Sequence, residues 1–377
     1  MFKGLLFKNL VFKSLVFKNL GPGLSIATGA CLRMTLRQIV ACARLACLAG
    51  AAAGSIAGAA QAQTGIKLSL DERLEGPAGL FLLPQDRGYY RSEGLDVMVE
   101  EGSSALEPIT RVASGGYELG FADINALIRY RDQNPAAPVK AVFMLYNKPP
   151  FAIVGRKSRG ITTDPKSLED KRLGAPPTGA TYDQWPLFAK LNEIDVGKVA
   201  VEKIGVPVRA PMLAAGQLDA VLGYSFRVFV DLKDRGVPLD DVVMLPMANY
   251  GLKLYGGAIM VNTKFAADRP DAVEGFLRAF LKGLKDTIKN PAAAADSVLK
   301  REDLGNKEVE LERLRMAIRD NIVTPEVRAD GLGAIDGARL NEAVNQIGLT
   351  YGFRAKPKAG DLFDPAFLPA AADRKIN

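Results

Sequence analysis

The sequence predicts an α/β protein, and three observations lead there. Short apolar runs alternate with helical patterns along the body of the chain, as expected for helices packed on both faces of a largely parallel sheet. Residues 68 to 97 compress that unit into one stretch: strand, polar loop, helix and second strand. The hydrophobic content, 48% of 377 residues, is ample for one large or two ordinary domains.

Leu68-Ser69-Leu70 closes an apolar run that begins at Ile66, and Asp71-Glu72-Arg73 follows where the strand empties into a loop. Ligands sit at that end of open α/β sheets. Gly76-Pro77 can open a helix, because Pro at the first helical position sacrifices an amide that has no partner anyway. Leu80, Phe81, Leu83 and Tyr90 give this helix a buried side, and Pro84 is expected to kink or shorten it. Gly88 and Gly94 punctuate its end, and residues 95 to 99 alternate as a strand does.

Leu106, Ile109, Val112 and Ala113 recur at helical spacing up to Gly115-Gly116. Residues 119 to 122 form a short strand, with Asp123 and Asn125 at its polar end, where they suit either helix capping or solute contact. The strand at 139 to 145 empties into Tyr146-Asn147-Lys148-Pro149-Pro150. Apolar strands at 151–155 and 257–261 bracket a block with its own rhythm. It reads as strand 172–175, helix 183–192, strand 199–203, helix 208–215, and strands 220–223 and 242–245. From Arg269 the pattern turns helical, with a stripe of Val273, Phe276, Leu277, Phe280, Leu281 and Leu284, and a second amphipathic stretch at 308–322. Pro357, Pro365 and Pro369 mark a tail that wraps the surface.

The formal charge of +7 sits in the leader. Residues 1 to 62 carry seven basic residues and no Asp or Glu, so 49 less 7 leaves 42 basic against 42 acidic in the remainder. A neutral body removes the main argument for nucleic-acid binding, which needs a basic surface to displace counterions. Cys31, Cys42 and Cys47 also precede residue 63, so a processed chain is cysteine-free and without disulfides. From Met34, Arg37 and Arg44 precede an Ala/Leu-rich run that ends in Ala60-Gln61-Ala62, a small-x-small cleavage site. Residues 34–62 therefore read as a signal peptide rather than an anchor. Residues 1–33 read as an upstream extension from a start codon set too early, with Met34 the true start. Their phenylalanines at 2, 7, 12 and 17 advance about 140° per step on a helix and form no single stripe. A basic membrane-surface helix is the second reading of this stretch.

The chain contains no His. That excludes Ser-His and Cys-His nucleophile pairs and histidine-ligated metals, and no catalytic residue or metal ligand is assigned. Gly223-Tyr224-Ser225-Phe226-Arg227 approaches a nucleophile elbow but ends in Arg and lacks a base. Binding asks less of the residues. Thr178, Thr181 and Tyr182 precede or open a helix, where hydroxyls and amides can grip an anion or simply cap the helix. Trp185 is the single Trp and suits an aromatic wall or the core. Tyr224 and Ser225 follow the strand in LDAVLGY. Arg73 can pair with an anionic solute and Asp71 or Asp123 with an amine, so a zwitterion would use both. The ligand-binding candidates are Asp71, Arg73, Asp123, Asn125, Asn147, Thr178, Thr181, Tyr182, Trp185, Tyr224 and Ser225.

Four motifs in order carry a family resemblance: DRGYYRSEGLDV at 86–97, an ASG stretch running into LGFADI at 113–124, SLEDKRLGAP at 167–176 and MLAAGQLDAVLGYSF at 212–226. They resemble the periplasmic solute-binding proteins of nitrate, sulfonate, taurine and thiamine-precursor ABC importers. The resemblance implies a two-lobed type II periplasmic-binding-protein fold, with residues 63–152 and 257–377 as one lobe and 153–256 as the other, joined by two crossing strands. It further implies a periplasmic protein that performs no chemistry and needs no cofactor. Such a protein captures a small organic solute and delivers it to a membrane permease and its ATPase, with no stable membrane insertion after processing. The solute classes implied are sulfonate- or taurine-like, nitrate-like, and aminopyrimidine thiamine precursors. The same fold family includes thiamine-pyrimidine synthases that consume one of their own histidines, and the absence of His weighs against that enzyme here. A sensor ectodomain would need a membrane span after the body, and none is visible.

Overall fold

The computed structural model describes residues 63–302 and 305–376, so the expected extension and signal peptide lie outside the described residues. In chain order, β1 (Thr64–Ser69), α1 (Gly79–Asp86), β2 (Leu95–Glu100), α2 (Glu107–Ala113), β3 (Leu119–Asp123), α3 (Ile124–Gln133) and β4 (Val139–Met144) come first. Then follow β5 (Phe151–Arg156), β6 (Arg172–Ala175), α4 (Ala180–Asp183), α5 (Trp185–Leu191), β7 (Ala200–Lys203), α6 (Val206–Ala214), β8 (Ala220–Tyr224), α7 (Ser225–Asp234) and β9 (Val242–Pro246). The chain returns through β10 (Gly257–Asn262) and continues in α8 (Pro270–Lys289), α9 (Pro291–Leu299), α10 (Lys307–Ala317) and α11 (Gly337–Ile347).

These strands form two five-stranded sheets, ordered β2-β1-β3-β10-β4 and β7-β6-β8-β5-β9. Each sheet has four strands running one way and a single antiparallel strand in the fourth position, β10 and β5 respectively. The expectation of a largely parallel sheet is thus refined. The chain crosses from the first sheet to the second through 145–150 and back through 247–256, and each crossing delivers the strand that runs against its neighbours. The crossings bond to each other, Gly256 N–H donating to the Tyr146 carbonyl at 2.9 Å and Tyr146 N–H to the Gly257 carbonyl at 2.9 Å.

The stripe on α8 is core, as its spacing predicts: Val273, Phe276, Leu277, Phe280 and Leu284 are fully buried. Phe276 stacks on Tyr90 at 5.1 Å between ring centroids, and Phe280 meets Phe81 and Phe143 at 5.0 and 5.4 Å. Pro84 lies inside α1, which runs on to Asp86, and its ring lies where a side chain on Gly283 of α8 would be. The helix expected at 183–192 is split at Gln184, with Pro186 in the first turn of α5. The 308–322 stretch is α-helical to Ala317 and continues as a π-helix over Ile318–Ile322. One hydrophobic cluster runs through both sheets, joining Ala258 and Met260 of β10 to Phe151 of β5 and Leu222 of β8. The described residues accordingly pack as one compact unit.

Candidate functional site

The carboxyl ends of β1, β6 and β8 open onto a shared cleft of about 710 Å³ between the two sheets. Its walls come from the loop after β1 (Asp71 to Glu75), from residues 101–107, from Pro176–Tyr182, and from α6, β8 and α7. This is the end of an α/β sheet where loops leave the scaffold and ligands bind. A narrower recess continues inward past Asp71 and Tyr224 to Phe81, Phe121 and Tyr146.

Tyr224 at the end of β8 donates its hydroxyl to Asp71 Oδ2 at 3.3 Å, so one hydrogen bond spans the cleft. Burial, then the neighbouring Glu72 and Asp123 carboxyls, push the Asp71 carboxyl well above the usual range, and the Tyr224 hydroxyl offsets only part of this. Beside it, Arg227 of α7 donates to Glu72 Oε1 at 2.9 Å and Glu75 Oε2 at 2.7 Å. Burial disfavours the Arg227 charge, but Glu72 and Glu75 outweigh it and hold the guanidinium above its ordinary value. Glu72 is raised by burial, with Arg227 pulling the other way. Arg313 of α10 extends the network to Asp231 at 2.5 Å, Glu75 at 3.8 Å and Glu310. The Gly76 amide donates to Glu310 Oε2 at 2.5 Å, which fixes the base of the β1 loop.

The structure brings six of the sequence candidates to this cleft: Asp71, Arg73, Thr178, Thr181, Tyr182 and Tyr224. Arg73 is exposed there and its side chain makes no hydrogen bond or ion pair among the described residues. Neither threonine caps α4, whose N-terminus lacks a side-chain cap. Thr181 is buried with its hydroxyl unpartnered.

The other five lie elsewhere. Asp123 caps α3, accepting from Ala126 N–H at 3.2 Å and from Asn125 Nδ2 at 2.7 Å. Asn125 also donates to the Tyr255 carbonyl and is fully buried. Both therefore tie β3 to the return crossing rather than lining the cleft. Asn147 serves the crossings: its Oδ1 accepts from Thr324, and Arg339 Nη2 bridges the Asn147 and Leu254 carbonyls at 2.8 and 2.9 Å. Trp185 is 5% exposed and packs on Phe188 at 6.2 Å, because α5 turns its apolar side to the core. Ser225 is buried and its amide donates to the Pro150 carbonyl at 2.8 Å.

The candidate set omitted Glu75, Glu72, Arg209 and Arg227. Arg227 was legible as the residue that breaks the elbow pattern, and Arg209 as a lone charge within VPVRAP. No local signal says that Arg227 meets the β1 loop or that Arg209, eighteen residues before it, lines the same cleft.

Asp123 makes a pH prediction. Burial pushes its carboxyl up to about 7, with the Asn125 hydrogen bonds and Arg129 offsetting only part. Above the unfolded pKa and below about 7 the folded state holds a proton that the unfolded state has lost. Stability therefore falls as pH rises through that window. Asp123→Asn removes this titration, so wild type should lose stability relative to the variant by up to about 1.4 kcal/mol per pH unit between pH 5 and 7. Urea midpoints at pH 5, 6, 7 and 8 test it, and parallel profiles would refute it.

Two five-stranded α/β sheets whose strand ends open onto a shared cleft define the class of fold. The family model described as NMT1/THI5 like matches residues 78–294, and the chain belongs to the NMT1/THI5-like family. The chain is 27% identical over 217 residues to the 4-amino-5-hydroxymethyl-2-methylpyrimidine phosphate synthase of Schizosaccharomyces pombe, covering 55% of this chain and 61% of that protein. It thus spans about three fifths of that relative's length. The riboflavin-binding protein RibY of Chloroflexus aurantiacus is 26% identical over 276 residues, covering 70% of this chain and 75% of RibY. The formylaminopyrimidine-binding protein of Halalkalibacterium halodurans is 25% identical over 242 residues, 62% of this chain and 70% of that protein. Among solved structures, the periplasmic aliphatic sulphonate binding protein SsuA of Escherichia coli superposes with a TM-score of 0.63 at 12% identity, over 81% of this chain and 94% of SsuA. That likeness establishes the periplasmic-binding-protein fold. Among the described residues no helix is long and apolar enough to cross a membrane.

Proposed function

We propose that this protein is the periplasmic solute-binding component of an ABC importer and that its cleft takes an aminopyrimidine-type solute. In this reading residues 63–152 and 257–377 form one lobe and 153–256 the other, the leader at 34–62 directs export, and a permease with its ATPase receives the closed form. The cross-cleft pair of Asp71 and Tyr224 carries the proposal. Burial favours the protonated form of the Asp71 carboxyl, and a protonated carboxyl offers one O–H donor and one carbonyl acceptor, which complements the ring-nitrogen and amino edge of an aminopyrimidine. A nitrate or sulfonate placed at that end would meet the Glu72 and Glu75 carboxylates beside Asp71, which disfavour an anion. The recess of Phe81, Phe121 and Tyr146 holds only about 30 Å³, room for a small substituent, so a planar ring sits in the 710 Å³ cleft outside it.

Contacts from both lobes favour the closed form, so solute binding shifts a hinge equilibrium without chemistry. The fungal relatives are synthases. The absence of any His from this chain supports capture over the self-consuming chemistry that the family resemblance implies for such enzymes.

The test is calorimetry and thermal shift with 4-amino-5-hydroxymethyl-2-methylpyrimidine, formylaminopyrimidine, riboflavin, taurine and nitrate. A pyrimidine should bind and be recovered intact, and Tyr224→Phe should weaken it roughly 5- to 10-fold, the worth of one hydrogen bond. Binding of nitrate or taurine alone, or turnover of the pyrimidine, would overturn the proposal.

A further inference from the structure

Arg73, Arg209, Arg227 and Arg235 line the cleft, and they are not equivalent. Arg73 is exposed, and Arg227 has carboxylate partners. Arg209 of α6 has none among the described residues. It is 3% exposed, and its single hydrogen bond runs from Nη1 to the Leu222 carbonyl at 3.0 Å. Nε and Nη2 are buried without any partner. These two nitrogens share one edge of the planar guanidinium, and their N–H bonds point the same way, which is the fork that takes two oxygens of one oxyanion.

The fold holds that edge in place. The guanidinium lies against the backbone of Gly223, where a Cβ would come within 2.3 Å of Nη1, so only glycine admits the arginine there. Burial, then Arg227, depress Arg209 to about 10, which still leaves it charged at neutral pH. A buried charge with two unsatisfied donors is costly unless something completes it. Arg209, Leu222 and Gly223 all line the 710 Å³ cleft, as does Thr181, whose buried hydroxyl is also unpartnered.

We propose that the Nε–Nη2 edge of Arg209 is an oxyanion subsite of the cleft, so that the solute carries a carboxylate, phosphate or sulfonate in addition to the group that meets Asp71. This rests on the reading of the cleft as a solute site, and it narrows the solute to one with an anionic arm.

The experiment compares the wild-type protein with Arg209→Met and Arg209→Lys. Melting temperatures are measured with inorganic phosphate or sulfate against chloride at constant ionic strength. Wild type should gain roughly 2–3 °C at ten times the anion Kd, and Arg209→Met should gain nothing. Without anion, Arg209→Met should melt no lower than wild type, because methionine fills the space without an unpaired charge. Arg209→Lys keeps the charge but loses the fork, and should bind the anion at least tenfold more weakly. An anion effect absent from wild type, or equal in all three proteins, overturns the subsite. So does a lower melting temperature of Arg209→Met in chloride, which would make the arginine a structural strut. A second arm compares 4-amino-5-hydroxymethyl-2-methylpyrimidine with its phosphate ester. A tenfold or greater preference for the ester that vanishes in Arg209→Met supports the subsite, and equal binding of the two by wild type refutes it. The neutral pyrimidine makes no demand on Arg209, so its failure to bind counts against the aminopyrimidine reading separately from the anion result.

Discussion

Replacing Arg227 by methionine is expected to cost about 3–5 kcal/mol of folding stability at pH 7.5. The Arg227 side chain is only 7% exposed and holds Glu72 and Glu75 from the opposite lobe at 2.9 and 2.7 Å. Removing it leaves Glu72 and Glu75 facing each other without the guanidinium they share, and desolvated like charges are strongly destabilising. The loss should shrink at pH 5, because Glu72 is already raised by burial and takes up a proton once Arg227 no longer opposes it. Adding Glu72→Gln and Glu75→Gln to Arg227→Met should recover most of the stability, since replacing a whole buried ion cluster costs far less than breaking it. Urea unfolding of the single and triple variants decides the matter. A loss below about 1 kcal/mol would place the pair with solvated surface ion pairs.

The second large effect is steric. A Cβ on Gly76 would sit 2.1 Å from the Glu310 carbonyl oxygen and 3.1 Å from the Leu314 amide nitrogen, both backbone atoms of α10. No side-chain rotation relieves that contact, so Gly76→Ala must push the helix and the loop apart at a cost of about 3 kcal/mol. The same shift breaks the bond from the Gly76 amide to Glu310 and moves Asp71 to Glu75, so solute affinity should fall at least tenfold along with stability. Gly65→Ala is the control, because a Cβ there meets nothing within 4 Å and should change stability by less than about 0.5 kcal/mol. Equal melting temperatures for the two alanine variants would refute the argument.

The strands and helices were legible because their signals are local. The apolar run from Ile66 to Leu70, the stripe on α8 and the Gly and Pro punctuation each report on residues that are neighbours in sequence. The motifs from 86–97 to 212–226 carried the family as well, because they are the turns and strand ends on which this fold is built. Asp71, Arg73 and Tyr224 were found for the same reason, since they stand at carboxyl ends of recognisable strands.

Where one residue suits two roles, local pattern does not choose between them. Asp123 and Trp185 fit solute contact and structure equally well by position, and packing placed them in a cap and the core, while Ser225, expected at the cleft, is buried against a crossing. By itself the sequence determined the α/β class, the order of elements, the family and the absence of histidine chemistry. Only the tertiary structure decided which side chains meet across the cleft. Arg227 and Glu75 are 152 positions apart, and their pairing depends on how two sheets close on each other, a distance that no periodicity records.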